Sequence, residues 1–488
     1  MGVPQGRSGG RVLRPGDDVE AVVARAYHRV LAGIFCIAWL SLGWQLEVLI
    51  GSRGLLPATA PRRRARAAPV SPPCRRFLAR RQRRGIARRN LDRRRAVAVG
   101  AVRRRPAPAP PSPRHSICRT PPRRAAFLSF QWDNLLLECG ALAVFLPTDR
   151  PVRWIHLLFR LLLFKLYVES GIAKWQSHLG DWQDGSAMTF YYETAPLPYW
   201  PAWYAHHLPA WWHHLESRAV LGLELLLPLL AFGPRAGRLL LCAALTGFQL
   251  LNLATANYGF FVYLALGLHL FLLSDADLTR VLQHLPRWRA PARRSPAPAL
   301  QRLRLAGAAL VATSYVGLSL IDGLLSFAPL SARAEAALAS AARPAAPWRL
   351  VNTYHLFAHI TRERVEPHFE VETAGGWQRL EFWHKPGDPR RAPDLVAPHQ
   401  PRVDFQLWFY GLSFRNGTPA YVSALVDRLC RDPAAVQQLF ATPLPERPAA
   451  VRLAFERYRF TAWDEKTATG AWWTTSPVAE THPVRCRP

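Results

Sequence analysis

Hydrophobic and polar positions along this chain fall into long blocks rather than short periods. The first apolar run, 28–50, is close to the ~20 residues a bilayer crossing needs, with Gln45 and Glu47 near its far end. Two shorter runs follow at 132–147 and 152–168, joined by PTDRP and interrupted by Glu138, Arg160 and Lys165. Runs 219–232, 239–254 and 258–273 come next, separated by GPRAGR and ANYG, and 305–327 is the last. Glu224, Gln249, Asn252 and Asn257 lie on or cap these runs. Polar groups there are costly against lipid, so they are expected to face the bundle interior and hydrogen-bond between helices. The first run has no small-residue cleavage site and reads as a retained span. The pattern predicts a polytopic α-helical membrane bundle.

The blocks stop near 330, and a different pattern fills 345–488. WRLVNTYHLFAHI (348–360), VEPHFEVET (365–373) and QRLEFWHKPG (378–387) read as strands, with a hairpin turn at Gly375-Gly376. Residues 403–412 and 420–429 read as helices, and VRLAFERYRFT (451–461) as a return strand. A soluble α+β C-terminal domain is therefore expected to follow the bundle.

One stretch fits neither pattern. Residues 167–215 hold six of the chain's 18 Trp, together with Glu169, Lys174 and the pairs His206-His207 and His213-His214. This is too polar to span a bilayer and too aromatic for an ordinary solvated loop. Trp and Tyr with one wet edge and one apolar face suit the membrane–water boundary. The stretch reads as the interfacial centre of the protein, with Lys174 and Glu169 as a boundary ion pair.

Charge alters this picture in one place. The 488 residues carry a formal +30, with a pI near 11.1 and a mean hydropathy of −0.04. Between Ala58 and Ala126 there are 22 Arg, no Lys and one acid, a net +21, so the other 419 residues carry +9. Eleven Pro and repeated Arg doublets leave no helical or alternating pattern to bury. A disordered basic loop, an RNA or anionic-lipid patch, and a segment translated out of frame all give such a composition. The sharp edges of the stretch favour the frame error, and nucleic-acid binding is the least favoured reading.

The positive-inside rule orients the rest. The basic linker 275–304 (Arg280, Arg287, Arg289, Arg293, Arg294, Arg302, Arg304) is assigned to the cytoplasm. GPRAGR, PTDRPVR and the basic N-terminus 1–27 then fall on the same side. Segment 169–218 and the C-terminal domain fall on the far side.

Candidate chemistry is sparse. There is no G-x-S-x-G elbow, Gly-rich phosphate loop or HExxH, and no catalytic residue or cofactor is assigned. The two His pairs (His206, His207, His213, His214) could each give one ligand to a shared ion, with Glu193 and Glu216 nearby. Against that stands a purely structural use of each ring, which is favoured. Seven scattered Cys suggest neither zinc nor a disulfide framework, although Cys430 and Cys486 could pair in an oxidising compartment. Asn416-Gly-Thr418 fits a glycosylation sequon on the far side. Arg402 and Asp404 precede an aromatic helix, either as a docking face or as a helix start packed on the sheet.

SFQWDNLLLECGALAVFLP, ESGIAKW, WYAHHLP, NTYHLFAHITRERVE, KPGD and VAPHQPRVDFQLWF, in that order, resemble the lipase maturation factor family, over 28–57 and 127–475. The resemblance implies a polytopic protein of the endoplasmic reticulum membrane in animals, assisting secreted lipases to fold and assemble. Its membrane half is similar to that of vitamin K-dependent gamma-carboxylase. Family members carry further apolar helical sequence where this chain has 58–126. The motif set that transfers is Trp132, Asp133, Glu169, Ser170, Lys174, Trp175, Tyr204, His206, His207, Asn352, Tyr354, Arg362, His399, Gln400, Arg402, Asp404 and Trp408. GC-rich, Lys-poor coding suggests a bacterial source, hence an inner-membrane protein with a periplasmic C-terminal domain. The expected function is a membrane-embedded maturation factor whose partners are the lipid bilayer and an exported client, a lipase by resemblance. The rival is a membrane enzyme, redox or carboxylase-like, built on the His-rich segment.

Overall fold

The computed structural model describes residues 21–57, 127–128, 130–148, 152–282 and 298–486, with backbone alone at 21 and 298–305. The readings placed on the Arg/Pro-rich stretch 58–126, the N-terminus 1–20 and the linker residues 283–297 lie outside the described residues.

The helical part opens with α1 (Ala21–Ile50). It continues through α2 (Gln131–Val144), α3 (Arg153–Trp175), the short α4 (Asp181–Asp184), α5 (Ala187–Thr194) and α6 (Pro201–His206). Then come α7 (Ala210–Leu225), α8 (Arg235–Thr255), α9 (Phe261–His269), α10 (Asp275–Leu282) and α11 (Pro298–Phe327). Among the described residues three helices are long and apolar enough to cross a membrane, at Val22–Ile50, Arg235–Thr255 and Ala306–Phe327. A fourth is added if the pair Phe261–Leu272 and Asp275–Leu282, bent by 118°, counts as one span. Their outer sides stay apolar: Trp39, Leu40 and Trp44 on α1, and Leu240, Leu250 and Leu251 on α8, are exposed. Patches of that kind suit hydrocarbon better than water.

After α12 (Ala332–Ala342) the chain enters a small antiparallel sheet. β1 (Arg364–Thr373) pairs with β2 (Gly376–Leu380) through a tight hairpin, with Thr373 opposite Gly376. Gly376 has φ +103°, a conformation that favours Gly. α13 (Arg402–Ser413) and α14 (Ala420–Arg431) precede β3 (Ala450–Phe460). α15 (Trp463–Thr469), β4 (Trp473–Glu480) and β5 (Val484–Arg485) complete the described chain. The strand order is β2-β1-β3-β4, and β5 pairs with β3. A disulfide joins Cys430, at the end of α14, to Cys486.

The hydrophobic core ignores the boundary between the two parts. Val48 and Leu49 of α1 pack into the sheet's core with Phe369, Leu407 and Val451. Conversely, Phe405, Tyr458, Phe460 and Trp473 from the C-terminal part belong to the core of the helical part.

Three local expectations differ from this structure. Residues 348–360 contain no strand, because their backbone bonds to side chains of the helical part. Tyr354 N–H donates to Glu169, His355 N–H to Gln131 and Leu356 N–H to the Ser170 hydroxyl. The strand read at 378–387 ends at Leu380, beyond which only an isolated bridge, Phe382 to Phe440, continues. Finally, the stretch read as interfacial, with one edge of its aromatics wet, opens with the last turns of α3 at 167–175, and two of its Trp, Trp182 and Trp203, are wholly buried.

Candidate functional site

The resemblance motifs are far apart in sequence, but most of them meet along one seam between the helical part and the C-terminal part. At the start of α2, Asp133 holds the Arg402 guanidinium in a two-pronged pair, Nη1–Oδ2 2.7 Å and Nη2–Oδ1 2.8 Å. The fork geometry matches a carboxylate, as only Arg can. The same Arg402 also donates to the Phe127 carbonyl, and its backbone N–H reaches Gln45 Oε1 at 2.8 Å. Gln45 Nε2 donates to the Gln400 carbonyl at 2.8 Å, and Ser41 Oγ accepts from Gln400 N–H at 2.9 Å. His399 Nδ1 lies 3.0 Å from the same Ser41 hydroxyl. Burial, with His384 and Arg402 alongside, lowers the His399 pKa to about 4.

The end of α3 supplies a second cluster. Glu169 Oε2 accepts the Tyr354 N–H at 2.9 Å. Lys174 Nζ pairs with Glu224 on α7, 2.9 Å to Oε1 and 2.8 Å to Oε2, and donates to the Leu356 carbonyl at 2.7 Å. Glu169 and Lys174 therefore do not pair with each other. Each faces a different partner because positions five apart on a helix point in different directions. Glu138 on α2 is fully buried and gathers four donors: Tyr315 and Tyr354 hydroxyls at 2.6 Å each, Asn352 Nδ2 at 3.0 Å and Lys165 Nζ at 3.3 Å.

Between α8 and α9, Asn257 stitches a loop of the C-terminal part in place. Its Oδ1 accepts from Val396 and Ala397 N–H at 2.7 and 2.9 Å, and its Nδ2 donates to the Asp394 carbonyl at 2.8 Å. Arg364, at the start of β1, reaches back to the carbonyls of Glu193 at 3.1 Å, Pro196 at 2.9 Å and Ala195. Trp408 Nε1 donates to the Thr194 carbonyl at 2.9 Å. Arg362 pairs with Asp181. Asp404 has a buried carboxyl that accepts from His384 and Lys385 N–H, each at 3.2 Å, and burial raises its pKa. Arg402 and Asp404 are thus a helix start packed inward. Trp132 is buried against Phe405 and Phe130, whereas Trp175 and Tyr204 stay exposed.

Many of these bonds fall at the last turns of α1 and α3 and the first turn of α2. The opposite ends meet one another: Asp275 accepts from Val22 and Val23 N–H at 3.1 and 2.8 Å. Arg25 reaches the Thr148 carbonyl at 3.3 Å, and Arg160 reaches the Phe271 carbonyl at 2.8 Å.

The four His do not converge. His207 Nδ1 bonds its own helix at the Trp203 carbonyl, 2.7 Å away, and His213 Nε2 lies 3.2 Å from the His206 carbonyl. His206 Nε2 stands 3.8 Å from Glu193, and burial lowers its pKa to about 4. His214 sits beside Gly185 on the other flank. No group of three or more His, Cys, Asp or Glu able to hold a metal occurs among the described residues. The residues that sequence motifs passed over at the seam, Ser41, Glu138, Glu224 and Asn257, are mostly polar residues within apolar runs, which is a readable signal. Arg364 carried no such signal, since an Arg opening a strand is ordinarily solvated.

Residues 124–280 match the family described as Lipase maturation factor transmembrane domain, and residues 350–483 match the Lipase maturation factor C-terminal domain. Lipase maturation factor 2 of Gallus gallus is 29% identical, over 73% of this chain and 65% of its own length. Lipase maturation factor 1 of Bos taurus is 29% identical, over 71% of this chain and 65% of its own length. For Lipase maturation factor 1 of Homo sapiens the figures are 29%, 73% and 66%. The chain thus spans about two thirds of the length of these relatives. No solved structure matches it. The two matched regions are the two sides of the seam, and the chain belongs to the lipase maturation factor family.

Proposed function

We propose that the protein is a polytopic membrane maturation factor that assists the folding or assembly of an exported client, a lipase by analogy with the names of its relatives. One observation carries this reading. The matched transmembrane and C-terminal regions are bound to each other through the motif pair Arg402 and Asp133 and through Asn257, which holds the 394–397 loop. The helices therefore present the C-terminal domain at a fixed attitude, which suits holding a client near the bilayer.

The sidedness of the bundle supports the reading. Asp133 at the start of α2, Gln45 near the end of α1 and Lys174 at the end of α3 all lie at helix ends that the charge rule assigns away from the cytoplasm. The Cys430–Cys486 disulfide on that side fits an oxidising compartment, the periplasm in a bacterium or the reticulum lumen in animals. Segment 169–218 stands on the same side, with Trp200, Tyr204, Trp211 and Trp212 exposed together with Trp463 of the C-terminal domain. Aromatic groups of this kind serve both the lipid boundary and a partially folded client. The enzyme reading gains nothing from the His pairs, which point to separate partners.

The test is client capture. Detergent-solubilised chain, mixed with a denatured secreted lipase diluted from urea, should retain the lipase and raise the yield of active enzyme. Native, already active lipase should not be retained. Equal retention of both, or no gain in activity, contradicts the proposal.

A further inference from the structure

A cavity lies among α3, α7, α8 and α9, next to the buried pair Lys174–Glu224. It offers about 540 Å³ of empty space counted out to its mouth. Most of the wall is apolar, including Leu166, Val220, Phe248 and Phe261. Its polar groups, on Ser170, Lys174, Glu224, Gln249, Asn252 and three Tyr, are for the most part already bonded to one another or to backbone.

Two polar groups in the wall have capacity to spare. Gln249 is 1% exposed; its Nε2 donates to the Tyr167 hydroxyl at 2.9 Å, while its Oε1 has no hydrogen-bond partner among the described residues. A buried amide oxygen left alone is costly. Among the described residues Glu224 has Lys174 as its only bonded side-chain partner, although a carboxylate accepts about four hydrogen bonds. The neighbouring Tyr191 and Tyr258 hydroxyls are occupied with each other. The combination is a mostly apolar wall with unused acceptors on two of its residues, Gln249 and Glu224.

We propose that this cavity binds a single-chain lipid carrying a free hydroxyl, with the hydroxyl donating to Gln249 Oε1 and the chain against Leu166, Val220 and Phe248. A hydroxyl both donates and accepts, so it satisfies the Gln249 amide in either orientation, and the apolar wall takes the chain. The site borders α8, a helix of membrane-crossing length, so its ligand can arrive from the hydrocarbon. Such a site does not depend on the chain being a maturation factor.

The test uses the full chain in detergent micelles and a diazirine-bearing dodecanol, with the matching diazirine-bearing dodecane as control. Photolabelling followed by peptide mapping should place the alcohol on the cavity wall. Unlabelled dodecanol should suppress that label about tenfold or more, and unlabelled dodecane should not. The alkane probe should label these positions about tenfold less, the order expected for one buried hydrogen bond. Gln249→Leu should lose most of the difference between alcohol and alkane, and Val220→Trp should block both. Equal labelling by the two probes, label confined to the outward faces of α1, α8 and α11, or no competition by dodecanol would each overturn the proposal, leaving water in the cavity.

Discussion

Arg402 and Asp133, 269 residues apart, form a two-pronged ion pair across the seam, with Arg402 almost wholly buried. The pair ties the start of the second helix directly to the C-terminal domain. Removing one partner strands the other charge in a place with little water. Arg402→Ala should therefore destabilise the protein by about 3–5 kcal/mol, as for other broken buried pairs. Arg402→Lys should recover only part of this, because an ammonium cannot serve both oxygens with the same fork. Thermal unfolding in detergent, followed by limited proteolysis of the C-terminal domain, measures both.

Asn257 makes a prediction of a more local kind. Its replacement by Ala leaves the Val396 and Ala397 amides buried without an acceptor. The expected loss is about 3 kcal/mol, at 1–3 kcal/mol for each unsatisfied group. Hydrogen exchange should speed up at Val396 and Ala397 well before it does in the β1–β3 ladder. Uniform acceleration everywhere would mean that the Asn257 bonds hold more than this loop.

His399 gives the seam a pH dependence. Its pKa in the folded protein is lowered to about 4, chiefly by burial, against roughly 6.5 when unfolded. Between these values the unfolded chain binds the proton that the folded one refuses, so stability rises with pH across this window. The contribution is intact above about pH 6.5 and is lost as the pH falls towards 4. His399→Gln, which keeps a hydrogen-bonding group near Ser41, should flatten the pH dependence of the unfolding midpoint across that window. An unchanged slope would remove His399 from this role.

The Cys430–Cys486 bridge closes a loop with a sequence separation of 56. The chain-entropy estimate for a loop of that length is about 4 kcal/mol. Protein recovered from membranes under acid quench should resist maleimide at both Cys until it is reduced, and Cys486→Ser should lower the unfolding temperature. Free thiols at both positions in freshly isolated membranes would argue against an oxidising side.

The long apolar helices, two helices of the C-terminal domain and strands β1, β2 and β3 are readable from pattern, whereas the short helices α4–α6, α12 and α15 and the strands β4 and β5 are not. Helix 402–413, helix 420–431 and strand 450–460 lie within a residue or two of their expected positions. What is not readable is pairing over distance. The 348–360 segment has the alternation and aromatic content of a strand, yet its amides are claimed by Glu169, Gln131 and Ser170. No local pattern carries that information. Likewise Glu169 and Lys174 look like an ion pair in sequence, and only the folded chain shows that Lys174 is taken by Glu224. Charge within an apolar run signals a buried partner but does not name it, which is why Glu138 is noticeable in the sequence while its four donors are not.

Maturation of an exported client is best read in a host deleted for this protein, by measuring secreted lipase as activity per unit of lipase antigen. Total antigen should stay close to normal while specific activity falls several-fold, and a plasmid carrying the intact chain should restore it. Unchanged specific activity in the deletion host would mean that the protein does not mature that lipase.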